Sequence, residues 1–222
     1  MSDDSKHWHQ FVLVAGALCL DFVNTVGDRT ATWRYVRNYL KAYDDVIAWG
    51  TQSQVLGDRQ AAALRALAKR RPDDAAAALE RAVTLRETLH TVFSPIAAKR
   101  PIPREALASL NAQLPPLLAH SRLERTPDVA RCHWAFAHDD TDTDDAAPLD
   151  RVAWLVMQSA TALLTSADVE HVHQCALENC GWLFLDLSKN KTRRWCAMKL
   201  CGNKSKVRQH RAMRKEGATG VS

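Results

Sequence analysis

The sequence predicts a mainly α-helical fold with a minor β element (α+β). A helical N-terminal body would precede a small C-terminal four-cysteine module built from a β-hairpin and a basic helix. Apolar residues recur at helical spacing through most of the first 168 positions, a stretch near position 130 alternates, and four of six cysteines lie within 27 residues. The 222 residues are 46 % hydrophobic and 25 % charged, which excludes a disordered chain, a collagen and a polytopic membrane protein.

The body, residues 1–168, is expected to form one mainly helical domain. In most of its segments apolar residues return every three or four positions, which gives each helix one face to bury. Prolines punctuate the middle of the body and mark where helices begin and stop. We predict helices over 11–27, 35–50, 58–71, from Pro72 to Pro95, from Pro103 to Pro115, and over 149–166.

A single strand pair is predicted in the body, over 129–137 with a partner near 120–126. Cys132, Trp134 and Phe136 would face one way, and the residues between them would face the other. Four tryptophans of the body could line a ligand pocket, but tryptophans of this kind are usually core residues. We therefore expect core positions for Trp33, Trp49, Trp134 and Trp154.

Charge is distributed unevenly along the chain, whose net charge is +5. Residues 1–185 carry 19 Lys and Arg against 23 Asp and Glu, whereas residues 186–222 carry 11 against only Asp186 and Glu216. A basic block next to an acidic body indicates a polyanionic partner.

The cysteines beside this block follow the pattern Cys175-x4-Cys180-x15-Cys196-x4-Cys201. Two close cysteine pairs at this separation are typical of a structural zinc site, in which four thiolates surround Zn²⁺ tetrahedrally. His171 and His173 lie just upstream and could compete as ligands, although four thiolates already satisfy the ion. We predict one structural Zn²⁺, with metal binding supplying most of the folding free energy of this short segment.

The C-terminal module, residues 169–217, is predicted to place a strand at 181–187, a turn at 188–191, a return strand at 192–196 and a helix over 202–216. Like charges repeated along one face of a helix destabilise it, so this basic surface is expected to meet phosphates. The candidate nucleic-acid-binding residues are Arg193, Arg194, Lys199, Lys204, Lys206, Arg208, Arg211, Arg214 and Lys215.

Residues 175–215 resemble the CGNR zinc-finger module of bacterial proteins. The resemblance rests on the four cysteines, F-L-D-x-S at Phe184–Ser188, R-R-W-C at Arg193–Cys196 and C-G-N at Cys201–Asn203. The body resembles the ABATE domain of the same family through L-C-L-D-F-V-N-T at Leu18–Thr25. This resemblance implies a stress-induced transcriptional regulator whose zinc module binds DNA.

One residue departs from the family pattern. The arginine that should follow C-G-N is Lys204, which keeps the charge but loses the planar five-donor fork. If relatives use that arginine for a bidentate contact, this protein should bind more weakly there.

Asp21 and Asn24 belong to the ABATE-like element and are candidates for an effector pocket. The alternative is that they cap or cross-link neighbouring helices, because buried polar groups normally have a partner. The sequence favours the second interpretation and leaves any effector unidentified.

The sequence therefore predicts a DNA-binding transcription regulator that is not an enzyme. The chain has no P-loop, dinucleotide fingerprint or G-x-S-x-G motif, and a four-cysteine zinc has no open position for water. We expect a cytoplasmic location, because the apolar stretches at 11–20 and 152–167 fit neither a secretory signal nor a membrane span. The alternatives are an RNA- or ribosome-associated zinc protein and a small-molecule-binding or enzymatic body with a purely structural zinc module. The body could also form a homodimer.

Overall fold

The computed structural model describes residues 11–27, 29, 37–127, 129–136, 148–208 and 210. Over these residues the protein is mainly helical with three small antiparallel sheets, which confirms the predicted fold class. The helices are α1 (Leu18–Val23), α2 (Tyr43–Gln52), α3 (Asp58–Arg70), α4 (Pro72–Ala97), α5 (Arg104–Ala112), α6 (Leu114–His120) and α7 (Arg151–Leu164). The strand pairs are β1 (Val26–Gly27) with β2 (Arg37–Asn38), β3 (Ser121–Arg125) with β4 (Cys132–Phe136), and β5 (Val172–Gln174) with β6 (Leu183–Leu185).

The 26-residue helix α4 lies at the centre and packs against α1, α2, α3, α5, α7 and β5. Its buried face meets the aromatic core, in which Phe22 and Trp49 pack edge to face with ring centroids 4.8 Å apart. Phe184 of β6 is fully buried in the same hydrophobic cluster. The body and the C-terminal module therefore share one core. None of the helices formed by the described residues is long and apolar enough to cross a lipid bilayer.

The prolines behave differently from the prediction. Pro95 lies inside α4, which continues to Ala97, because a proline this close to a helix end removes only a hydrogen bond of the last turn. Pro115 and Pro116 lie in the first turn of α6, where backbone N–H groups have no intrahelical partner. They therefore begin a helix that was not predicted, instead of only ending the one before it.

Helix α1 is much shorter than the predicted helix over 11–27. Gly16 has φ +79°, a left-handed conformation that breaks the helix, and a Cβ there would lie 3.1 Å from the carbonyl oxygen of Leu185. The segment before α1 instead runs beside β6, where the Leu185 N–H donates to the Ala15 carbonyl at 2.7 Å. This segment is thus the first link between the two ends of the chain.

The strand pair of the body is confirmed, with Leu123 opposite Trp134. Its predicted buried face is only partly correct, because Trp134 is 49 % exposed and Cys132 is exposed, while Phe136 is buried. A two-stranded sheet extends past the helices it packs on, so its outer residues have no layer to cover them. Trp49 and Trp154 are core residues as expected, and Trp33 lies outside the described residues.

The predicted hairpin of the C-terminal module is wrong, because its first strand pairs with a different segment. The strand Leu183–Leu185 pairs with Val172–Gln174, in the register Val172 opposite Leu185, and not with residues 192–196. Residues 167–174 contain a 3₁₀ helix (Ala167–His171) followed by β5. The loop joining β5 to β6 carries the first cysteine pair, so the pairing fixes that pair at one end of the sheet.

Candidate metal centre and nucleic-acid interface

Three different backbone segments deliver the four cysteines. Cys175 follows β5 and its N–H donates to the Trp182 carbonyl at 2.8 Å, while Cys180 closes a turn onto Leu177 at 3.0 Å. Cys196 comes from the irregular segment 192–196. Cys201 belongs to a π-helical turn (Met198–Gly202) that leads into helical residues 203–208.

The four sulfur atoms form a compact buried cluster, all within 4.8 Å of one another. The Sγ of Cys180 lies 3.8 Å from that of Cys196 and 3.6 Å from that of Cys201, and the last two are 3.4 Å apart. A tetrahedron with Zn–S bonds of about 2.3 Å has edges of about 3.8 Å, so these three sulfur–sulfur separations are close to those of a zinc site. The structure brings the four predicted ligands together in a position to hold one ion, which confirms the single structural Zn²⁺, and His173 is not part of the cluster.

Shared protons within the cluster lower the pKa of Cys175 and raise the pKa values of Cys180 and Cys196, and burial raises the pKa of Cys201. Hydrogen bonds from the Cys180 and Cys196 thiols lower the pKa of Cys175 to about 2. The pKa of Cys180 is raised to about 12 because its proton is held against Cys175. A thiolate is therefore present for the cation to bind, and four thiolates leave the ion no open coordination position.

Asp186 organises the chain between β6 and Cys196, a role that the sequence analysis missed. Its carboxylate is fully buried and accepts hydrogen bonds from the N–H groups of Ser188 and Arg193, both at 2.9 Å. Burial opposes ionisation, but these hydrogen bonds prevail and lower the pKa of Asp186 to about 2. The sequence did offer one signal for this role, because Asp186 is the acid of the F-L-D-x-S element and lies next to the basic block.

Arg193 was predicted to bind nucleic acid, but its side chain makes contacts inside the protein. Its guanidinium donates to the carbonyl of Trp195 at 3.0 Å, to that of Val14 at 2.6 Å and to that of Cys196. It also lies over the Phe184 ring, 4.4 Å from the centroid. The half-buried side chain thus ties the metal-binding segment to the N-terminal segment, and its donors point at backbone oxygens instead of solvent phosphates.

Asp21 and Asn24 have internal partners in the structure. Asp21 accepts from the N–H groups of Val14 and Ala15 at 2.8 and 2.9 Å. The Asn24 amide donates to the Leu183 carbonyl at 2.8 Å and accepts from the Leu183 N–H at 3.0 Å, so it acts as one more strand residue beside β6. The Asn24 contacts cross-link α1 to the C-terminal module, whereas the Asp21 contacts hold the segment that precedes α1. An effector role for the pair stays a prediction.

The remaining predicted cations lie on the outside of the module. Arg194, Lys199, Lys204, Lys206 and Arg208 are all exposed, and they are called the cationic face here. The Arg194 guanidinium lies 5.4 Å from the Trp195 ring centroid, and Arg208 approaches Glu178 at 3.8 Å in an exposed ion pair. Arg211, Arg214 and Lys215 lie outside the described residues.

Comparison with known families places these features in context. Residues 171–214 match a family model described as the CGNR zinc finger. Residues 16–167 match a model described as "putative stress-induced transcription regulator", the ABATE domain. The chain belongs to the ABATE family. This ABATE protein thus carries its CGNR zinc finger directly after the matched domain, and the four clustered cysteines all lie within the matched finger. A search of curated proteins found no match.

Proposed function

We propose that this ABATE protein is a zinc-dependent transcription regulator of the cytoplasm that binds DNA through the cationic face. The observation that supports the proposal most directly is the position of that face on the segment organised by the four cysteines. Residues 171–208 carry eight Lys and Arg against two acids, Glu178 and Asp186, and Asp186 is buried. The outward-facing charge of the module is therefore strongly positive.

The zinc has a structural part in this proposal. Cys196 lies two residues after Arg194, and Cys201 lies three residues before Lys204, so loss of the ion would release the backbone that carries these cations. Cations held in a fixed geometry neutralise phosphates without a large ordering cost, and each contact releases counterions. The affinity is expected to fall steeply as salt concentration rises.

The proposal assigns no catalytic step to the zinc, because a closed four-thiolate site holds no water. Charge alone does not distinguish DNA from RNA. RNA is therefore the alternative partner, and the experiment must distinguish RNA binding from DNA binding.

The test measures fluorescence anisotropy of duplexes selected by the purified zinc-loaded protein from random DNA, over a range of salt concentrations. The double variant Lys204→Ala/Arg208→Ala should lower the salt-dependence slope by about 2, since each lost phosphate contact removes about 1. Removal of zinc by a chelator should abolish binding. Arg104→Ala, which removes an exposed cation of the body, is the matched control and should leave both affinity and slope unchanged.

Binding that survives both zinc removal and the double variant would overturn the proposal. Stronger binding to RNA of the same sequence, in duplex or single-stranded form, would favour the alternative. Lys204→Arg restores the family's arginine, and we expect equal or tighter binding to the selected duplex, because the planar guanidinium can make two parallel hydrogen bonds to one acceptor group.

A further inference from the structure

The body contains an open cavity of about 670 Å³ between α6, α7, the β3–β4 pair and the first residue of α1. Leu18, Leu117, Leu118, Trp134 and Leu155 contribute much of its apolar wall. Trp134 and Leu118 are 49 % and 59 % exposed, although both are large hydrophobic residues. The predicted effector residues Asp21 and Asn24 are not among the residues that line it.

The size and chemistry of the cavity are those of a small-molecule site. Ligand pockets commonly have volumes of roughly 300–1,000 Å³ and mostly apolar walls with a few polar groups. None of the residues that line this cavity carries a formal charge. A charged ligand would lose its hydration without gaining an ionic partner, so the wall selects for neutral molecules.

One polar side chain in the wall is available to orient such a molecule. Among the described residues, no hydrogen-bond partner accompanies the half-buried amide of Gln158. The hydroxyls of the wall already have backbone partners. Ser121, Thr161 and Thr165 each donate to a backbone carbonyl, and Ser159 accepts from the Cys19 N–H at 3.1 Å. The Gln158 amide offers one acceptor and two donors to an occupant.

We propose that this cavity binds a neutral, mainly apolar small molecule that forms one hydrogen bond with Gln158. A second copy of the chain would instead cover the convex apolar residues of the same face. Leu123, which is 61 % exposed and opposite Trp134 on the strand pair, does not line the cavity. The concave volume and the unpartnered amide both favour a small molecule over a flat protein interface.

The site is separate from nucleic-acid binding but is structurally connected to the zinc finger. Leu18, in the cavity wall, is the first residue of α1, and Asn24, which follows the last residue of α1, holds Leu183 of β6. Ser159, also in the wall, holds the N-terminal end of α1 through the Cys19 N–H. A single short helix thus joins the cavity to the module.

The test titrates the full-length zinc-loaded protein with N-phenyl-1-naphthylamine, a neutral aromatic dye that fluoresces in apolar surroundings and has one N–H donor. We expect saturable binding of one dye per chain, with energy transfer from tryptophan. Leu118→Glu should weaken binding at least tenfold by placing a carboxylate at the cavity. Leu123→Glu is the matched control, an equally exposed leucine outside the cavity, and should change the dissociation constant less than twofold.

Two further variants test the cavity without relying on Leu118→Glu alone. Ala162→Phe occupies the cavity from an exposed helix position and should also weaken dye binding at least tenfold. Gln158→Leu removes the amide and should weaken it about fivefold, the effect of one lost hydrogen bond of about 1 kcal/mol. Circular dichroism and zinc content identify any variant that fails to fold.

Absence of saturable dye binding to the wild-type protein would overturn the proposal. Equal losses with Leu118→Glu and Leu123→Glu would also overturn it, since they would indicate a broad apolar surface. The same holds if light scattering shows a dimer that both variants dissociate, because that result would assign the face to a second copy of the chain.

Discussion

The helical body and the zinc finger are stabilised in opposite ways, although they share one hydrophobic core. The body buries long apolar helices around α4, and buried polar side chains such as Arg86 are a small part of that core. In the part of the finger that the structure describes, a three-residue strand pair is supported by four cysteines, the buried Asp186 and the half-buried Arg193. A segment too short to form its own core is thus ordered by a metal, by buried polar groups and by the core of its neighbour.

The largest effect is expected from loss of a metal ligand, which tests how far the finger depends on zinc. Cys196→Ser should abolish stoichiometric zinc binding, because structural zinc contributes on the order of 10 kcal/mol to such modules. Most of the helical circular dichroism should remain, since α2 to α7 contain no ligand. Cys132→Ser, an exposed thiol on β4, is the control and should retain one zinc per chain. Full zinc content in Cys196→Ser would contradict the assigned ligand set.

The second prediction tests whether the two regions unfold together. Phe184 is fully buried in the shared core, and its replacement by alanine should lower the free energy of unfolding by about 3–5 kcal/mol. The loss should appear in the helical signal of the body as well as in zinc release. Leu187→Ala, at a residue that is 60 % exposed, should cost about 0.5 kcal/mol or less. Unfolding of the finger alone in Phe184→Ala, with an unchanged transition of the body, would show two independent cores.

Adjacent arginines provide the third comparison, between a structural and a surface cation. Arg193→Ala should lower the free energy of unfolding by about 2 kcal/mol, because it leaves partly buried carbonyls without donors. Arg194→Ala should leave stability nearly unchanged but lower the salt-dependence slope of DNA binding by about 1. Chemical denaturation and anisotropy measure the two effects separately. The reverse pattern would place Arg193 at the nucleic-acid interface after all.

The smallest expected effect concerns Asp21, which holds the N-terminal segment through the Val14 and Ala15 N–H groups. Burial raises the pKa of Asp21 to about 6, although the Ala15 and Val14 N–H groups and Arg193 oppose this shift. The folded protein therefore holds a proton that the unfolded chain releases near pH 4, and stability falls as pH rises from about 4 to about 6. Asp21→Asn should raise the melting temperature at pH 7 by a few degrees and reduce this pH dependence. An unchanged pH profile, measured by thermal denaturation relative to wild type, would contradict the assignment.

The sequence predicted the features that depend on neighbours along the chain. Helical periodicity gave α3, α4 and α7 to within a few residues, and the cysteine spacing gave the complete ligand set. The helix predicted over residues 11–27 was wrong in its first part. The apolar pattern of this segment does not show that Gly16 takes a left-handed conformation, which interrupts a helix. The short β6 was found, but its partner was not, since a three-residue strand carries no signal of what it pairs with.

The side-chain assignments show the same division between local and long-range information. Arg193 and Arg194 are adjacent residues of the same type, so the sequence does not distinguish their roles. In the fold Arg193 contacts the carbonyl of Val14, 179 positions away in the chain, whereas Arg194 is exposed to solvent. Likewise, Trp134 and Trp154 were both predicted to be core residues. In the fold Trp154 is buried, whereas Trp134 on β4 remains exposed.

The sequence by itself determined the helical class, the family and the metal ligands of this protein, because periodicity, motif and ligand spacing are local properties of the chain. The tertiary structure alone decided which cations remain outside, where the open cavity lies and how Asn24 joins α1 to β6. These outcomes depend on contacts between residues far apart in sequence. Such contacts form only when the hydrophobic core brings the segments together, and no spacing rule encodes them.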